Sequence, residues 1–272
     1  MTSLAAATTP TPPVKKPHEG KVDLDQTRDR LLRLGLLRAA ERLDQQLTDA
    51  SKLSLSPHKV LDQLLDDELL CREERRVRTS LKLSSLPTGQ TLGNFDFAFQ
   101  PAIERSRIET LATCSWIREK HTLLMQGPPG VGKTHLAVAL GVKAVENGFS
   151  VAFFRLEELL LEMRRDAAVA PSRLRRRKYV NVALLIVDEM GFEPMSRQDA
   201  SLFFRLVSYR YGRGSILITT NKGIKDWPEL FAGDEVLATA VLDRLLHKSH
   251  VLDIKGRSYR LRDLERAAVG RA

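Results

Sequence analysis

The sequence predicts an α/β fold, a parallel five-stranded, doubly wound sheet preceded by a small all-helical N-terminal domain. Three observations carry this. A glycine-rich turn, Gly127-Pro128-Pro129-Gly130-Val131-Gly132-Lys133-Thr134, stands between a short apolar run and an apolar-periodic stretch over residues 135–145. Residues 182–187 form an unbroken apolar run, the pattern of a strand buried on both faces, and end in Asp188-Glu189. Short β-type runs alternate with helical periodicities from His121 to Ile254, which is how parallel strands are joined.

Taken in order, residues 1–20 are rich in Thr, Pro and Ala with Lys15 and Lys16 at the end, and read as a disordered tail. Residues 21–85 read as the helical domain. Leu31, Leu32, Leu34, Leu36, Leu37, Ala40 and Leu43 predict one helix with an apolar face, followed by a polar break over residues 48–56. A second helix spans residues 57–81, apolar through Val60, Leu61, Leu64, Leu65, Leu69 and Leu70, then basic through Arg72, Arg75, Arg76, Arg78 and Lys82. A basic helix face fits a solvated surface and a phosphate-contacting one equally, so both readings stay open. Residues 86–105, with Pro87, Gly89, Gly93 and Asn94, read as a linker. Its Phe95 and Phe97 either pin the linker to the core or flank a base.

Residues 106–262 hold the sheet. A helix is predicted over 103–120, with strands at 121–125, 150–154, 182–187, 215–219 and 251–254 and a helix at 156–166. Arg173, Arg175, Arg176, Arg177 and Lys178 form a cluster of five cations without a balancing acid among them. Residues 263–272 are a basic tail. The strand at 215–219 is expected between the strand before the glycine-rich turn and the one ending in Asp188.

Composition narrows the class. An apolar fraction of 43% is that of a globular protein. No stretch is apolar for the length a membrane helix needs, and the first residues lack a signal-peptide core, so a soluble, cytoplasmic protein is expected. Cys71 and Cys114 stand without metal-binding spacing. The net charge of +9 favours a polyanionic partner without naming it.

The chemistry is that of polyphosphate. Glycines let the backbone close on a phosphate chain and aim its N–H groups inward, and the helix opening at Lys133, Thr134 and His135 adds its positive end. Lys133 suits the β- and γ-phosphates of ATP, and the Thr134 hydroxyl suits Mg²⁺. Asp188, at the carboxyl end of a buried strand, suits the same Mg²⁺, and Glu189 is placed to orient and polarise an attacking water. Asp188-Glu-Met-Gly191 and Asn221-Lys222 resemble guanine-nucleotide motifs, but Ile224 replaces the carboxylate that would pair with guanine. Adenine is the better match. Asn221, after the 215–219 strand, serves as a γ-phosphate sensor or as a turn former. Arg244, on an apolar helix, reads from its residues alone as a surface ion pair. His247 and His250 share a helix face in this reading, without partners that would make a metal site.

Together these motifs resemble an AAA+ ATPase of the IstB type, the helper ATPases of a family of bacterial insertion sequences, related to the DnaC/DnaI helicase loaders. The resemblance runs from Asp29 to Arg262. It is carried by Leu92-Gly-Asn-Phe-Asp-Phe97, Gly132-Lys-Thr-His-Leu-Ala-Val-Ala-Leu-Gly141 and Leu185-Ile-Val-Asp-Glu-Met-Gly191. Tyr209-Arg-Tyr211, Thr219-Thr-Asn221, Leu242-Asp-Arg-Leu-Leu-His247 and Lys255-Gly-Arg-Ser-Tyr-Arg260 continue it. It implies an AAA+ P-loop NTPase fold with Gly127 to Thr134 as Walker A and Asp188 with Glu189 as Walker B. Asn221 would be sensor 1, Arg244 an arginine finger reaching a neighbouring subunit, and Arg260 a further phosphate contact. It implies an ATP-dependent homo-oligomer on duplex DNA that helps a partner transposase, IstA-like, choose its target. A replicative helicase loader and a nucleotide-gated DNA scaffold with little hydrolysis are the alternatives. Arg72, Arg75, Arg76 and Arg78 with the Arg173–Lys178 cluster are the expected DNA contacts.

Overall fold

In the computed structural model, which describes residues 23–262, strands β1 (Thr122–Gln126), β2 (Val151–Arg155), β3 (Leu184–Met190), β4 (Ser215–Thr220) and β5 (Ser249–Asp253) form one sheet. All paired neighbours are parallel and the order is β2-β3-β4-β1-β5. The expected tails, 1–20 and 263–272, lie outside the described residues.

The chain divides into two compact units, residues 1–74 and 75–272. In the first, α1 (Leu24–Arg33) and α2 (Leu37–Leu53) replace the single helix expected there. The break is Gly35, whose φ of 73° ends α1 in the left-handed region that glycine enters without strain. The expected polar break begins later than 48, because α2 runs on to Leu53 and stops at a left-handed Ser54. Helix α3 (Pro57–Ser84) follows, and the division between units falls inside it. Leu36 provides no side-chain cap for α2. Glu68 of α3 supplies it instead, its Oε2 accepting from Arg38 N at 2.7 Å and Ala39 N at 3.3 Å. Burial opposes charge on Glu68, but the Arg72 guanidinium and these two amides outweigh it and hold the carboxyl below its usual range.

In the second unit, the helix expected over 103–120 is two helices, α4 (Arg105–Ala112) and α5 (Ser115–Arg118). Cys114 between them has φ 61°, so the chain turns there and buries Trp116 and Ile117. Then come α6 (Lys133–Glu146), α7 (Leu156–Arg165), α8 (Pro171–Leu174), α9 (Lys178–Asn181), α10 (Arg197–Arg210), α11 (Trp227–Leu230) and α12 (Glu235–Leu246). His247 ends α12 and His250 lies on β5, so the two share no helix face.

The sheet is covered on both sides, which explains its unbroken apolar runs. Leu185 and Val187 of β3, Ile216 and Ile218 of β4 and Leu124 of β1 face one core with α7, α10, α11 and α12. Leu184, Ile186, Leu217, Leu123 and Met125 face the other, with α4, α5 and α6. Alternate residues of each strand thus enter opposite cores. Each fully buried side chain of this kind contributes about 1.5–3 kcal/mol. Arg210 is 1% exposed and donates to the carbonyls of Val180, Val182 and Ser215, tying α9 to the starts of β3 and β4. Its burial lowers its pKa to about 10. As expected, β4 lies between β3 and β1.

Candidate functional site

The carboxyl ends of β1, β3 and β4 meet where the strand order reverses, the place where such sheets bind ligands. β1 runs straight into Gly127, and Gly132 caps α6 with φ 99°. A Cβ at Gly132 would lie 2.7 Å from the Phe95 ring, and one at Gly130 2.0 Å from Ser258 Oγ. The loop is therefore clasped between the linker and the segment after β5, and Tyr259 N donates to Gly130 O at 2.9 Å. The N-terminal amides of α6 face this loop and carry the positive end of the helix. Lys133 Nζ donates to Gly127 O at 2.7 Å and Pro128 O at 2.8 Å. Burial holds its pKa below the lysine range; Asp188 raises it and Arg260 lowers it further.

At the end of β3 the pairing with β4 slips. Val187 faces Ile218 but Met190 faces Thr220, so Asp188 and Glu189 together oppose Thr219. This is a β-bulge, and bulges re-aim side chains beside active sites. Glu189 takes φ 61°, a left-handed conformation that costs a non-glycine residue roughly 1–2 kcal/mol. Thr219 holds the bulge from across the sheet. Its hydroxyl donates to Asp188 Oδ1 and accepts from Glu189 N at 3.1 Å. Thr134 Oγ1 reaches the same Asp188 oxygen at 3.0 Å. The carboxylate of Glu189 stands 3.4 Å from Arg155 Nε, an exposed pair of little stabilising weight. Thr219 as the brace of this pair is invisible to motif reading. The nearest signal is its place in Thr219-Thr-Asn221.

Beside the loop is a cavity of about 240 Å³ lined by Gln90, Phe95, Lys133, His135, Tyr259 and Arg260 among others. Phe95 packs on the core, as the first of its two expected roles requires, and its ring also forms part of the cavity wall. His135 Nε2 lies 2.9 Å from Thr91 O and 3.0 Å from Asn94 Oδ1, so the linker is latched to α6 through the Nε2–H form. Among the described residues, Asn221 Oδ1 is buried without a partner, close to Gly191. An orphaned polar atom, glycines that leave the loop bare, and a hydroxyl and carboxylate already touching all fit a nucleoside triphosphate with a divalent cation.

Arg244 is not brought to this place. It lies with Lys120, Thr122 and Gly214 at the amino edge of the sheet. Its Nη1 donates to Ala240 O at 2.7 Å and its guanidinium stacks 4.8 Å over Phe204. The ion pair expected from its residues is not formed among the described residues.

The expected DNA contacts divide. Arg72 pairs with Glu68 at 2.9 Å and donates to Gly35 O. Arg76 donates to Val145 O and Glu146 O at the end of α6. The cation cluster does have a balancing acid: Asp166, outside the local stretch, pairs with Arg177 at 2.5 Å. Lys178 donates to Leu83 O at 3.0 Å. Arg75, Arg78, Arg173, Arg175 and Arg176 are exposed.

Comparison with known proteins places these features. The model of the family described as "IstB-like ATP binding protein" matches residues 29–267. A protein of insertion sequence IS21 from Pseudomonas aeruginosa, described as ATP-binding, is 44% identical over 243 residues, 88% of this chain and 90% of the relative. A counterpart in insertion sequence IS5376 of Geobacillus stearothermophilus is 39% identical over 231 residues, 85% of this chain and 92% of the relative. Among solved structures, AMPPCP-bound DnaA from Aquifex aeolicus aligns with a TM-score of 0.51 at 18% identity, over 68% of this chain and 56% of that one. DnaI aligns with a TM-score of 0.50 at 19% identity, over 60% of this chain and 90% of that one. These two likenesses show the fold.

Proposed function

The chain belongs to the IstB-like ATP binding protein family, with the AAA+ P-loop fold, and on that premise we propose that it hydrolyses ATP to drive insertion-sequence transposition. In this reading it assembles as an ATP-dependent homo-oligomer on duplex DNA, in the cytoplasm, and promotes target engagement by an IstA-like transposase. Residues 21–85 serve DNA, partner or subunit contacts, 86–105 are the linker, and 106–262 are the ATPase domain. No helix among the described residues is long and apolar enough to cross a membrane.

The observation that carries hydrolysis is the bulge that sets Glu189 beside Asp188, braced by Thr219. A protein that only bound nucleotide would have no use for a strained carboxylate there. The amides of the loop and α6 bind the phosphates, and Lys133 exchanges its two carbonyl partners for phosphate oxygens. Thr134 and Asp188 would hold Mg²⁺, which when bound neutralises charge on the β- and γ-phosphates. Glu189 orients the attacking water and takes its proton. Asn221 senses the γ-phosphate, Arg260 adds a contact within the same subunit, and Arg244 serves the site of a neighbour. Exposed arginines such as Arg78, Arg173 and Arg176 meet DNA phosphates.

The test is steady-state ATPase activity with and without duplex DNA, beside Lys133→Ala and Glu189→Gln. DNA-stimulated turnover abolished by both substitutions is expected. Turnover that survives Glu189→Gln would refute the assignment. Tight ATP and DNA binding with no turnover, even with the transposase added, would mean a scaffold.

A further inference from the structure

Two surfaces of opposite chemistry remain once the nucleotide site is set aside. In the unit of residues 1–74, α3 turns Leu61, Leu65 and Leu69 outward, at 55, 42 and 62% exposure. Spaced four apart, they form one apolar ridge along the helix. Asp62 and Asp66, both exposed, line one edge of it. The other side of α3 is occupied, through Asp67 on Arg42 and Glu68 on the start of α2. A helix that is already packed on one face and still shows three leucines in a row has a second face to cover.

In the unit of residues 75–272, α7, α9, α10 and the end of α8 enclose an apolar slot of about 310 Å³ walled by Met163, Leu174, Leu202 and Leu206. Arg175 and Arg205 stand at it, both exposed. Among the described residues neither has a carboxylate or hydrogen-bond partner. Asp166, the one acid lining the slot among the described residues, is already taken by Arg177 and the Tyr179 hydroxyl. The slot therefore presents an apolar floor with two unmatched positive charges.

We propose that the α3 ridge of one copy of this chain seats in the arginine-flanked slot of a second copy. Leu65 enters the slot, and Asp62 and Asp66 meet Arg175 and Arg205 as charge-assisted pairs. The inference rests on the homo-oligomer reading above and names its interface. Ridge and slot are different surfaces, so each copy gives one to one neighbour and the other to the next, and the contact propagates into a ring or filament. A DNA backbone would satisfy the two arginines but has no use for the apolar floor. A self-contact satisfies both.

The experiment is sedimentation velocity of the full chain with a non-hydrolysable ATP analogue, on Asp62→Arg/Asp66→Arg and on Arg175→Glu/Arg205→Glu. Each double variant alone should self-associate at least tenfold more weakly than the parent. An equimolar mixture should recover association, because reversed ridge then meets reversed slot and native ridge meets native slot. Independently, Leu65→Cys on one chain and Leu202→Cys on another should form a disulfide across copies. Parent-like assembly of both variants would overturn the interface and leave oligomerisation standing. A parent that stays monomeric would remove the oligomer reading and the interface with it. Loss of DNA binding by Arg175→Glu/Arg205→Glu with assembly unchanged would give the arginines to DNA and refute the proposal.

Discussion

Thr219→Val removes one hydroxyl and keeps the shape of the side chain. Thr219 is 1% exposed, so no water replaces the hydroxyl's bonds. Its bond to the Asp188 carboxylate is of the charge-assisted kind, worth about 1.5–3 kcal/mol, and the Glu189 amide it leaves behind costs about 1–3 kcal/mol if it stays unpaired. Asp188 keeps Thr134 as a partner, which offsets part of the loss, so a destabilisation of about 2–4 kcal/mol is expected by urea unfolding. The larger effect falls on turnover. Without the Thr219 oxygen only the weak, exposed contact to Arg155 remains to hold Glu189, and the carboxylate relaxes away from its aim. General-base catalysis typically supplies ~10²–10⁴-fold, so kcat should fall about a hundredfold, with ATP affinity within about twofold of the parent. Thr219→Ser, which restores the hydroxyl, should recover most of both. Parent-like kcat in a folded Thr219→Val protein would refute the bracing argument. So would equal losses in kcat and ATP affinity, because those would indicate general damage to the site.

Other outcomes follow from the same geometry. Gly132→Ala puts a methyl group 2.7 Å from the Phe95 ring at φ 99°, and should weaken ATP binding at least tenfold by fluorescent-nucleotide titration. Arg244→Ala should bind ATP normally but not hydrolyse it. Mixing it with Lys133→Ala, which still offers Arg244, should restore turnover; no recovery in the mixture would place Arg244 outside the neighbour's site. Glu68 is held below its ordinary pKa, so its stabilisation is full above the usual carboxylate range and is lost as pH falls through the depressed value. Acid titration of helicity should therefore show a transition below that range that Glu68→Gln removes. DNA binding through exposed arginines repeated along an oligomer should weaken steeply between dilute and physiological salt, and an affinity flat in salt would exclude phosphate contact as its source.

Much of this protein is legible in its amino-acid sequence. Residues 127–134 carry their own conformation, because only glycines accept those dihedrals and the helix begins where the apolar period does. The unbroken run ending at Val187 declares a strand buried on both faces, and that in turn locates Asp188 at a ligand-binding edge. The misses have two causes. Gly35 and Cys114 break helices whose apolar period continues through them, since a single left-handed residue leaves the pattern almost unchanged. The balancing acid of the cation cluster is Asp166, and the cap of α2 is Glu68, both supplied from outside the local stretch. Above all, the bulge at Asp188–Glu189 and its brace on Thr219 exist only once β3 lies beside β4. Sequence alone determined where the glycine-rich loop, Asp188 and Glu189 fall relative to strand and helix, because composition and spacing are properties of the chain. Their aim was decided by the tertiary structure, because a side chain 30 residues away sets the backbone angle of Glu189 through a hydrogen bond that no local pattern encodes.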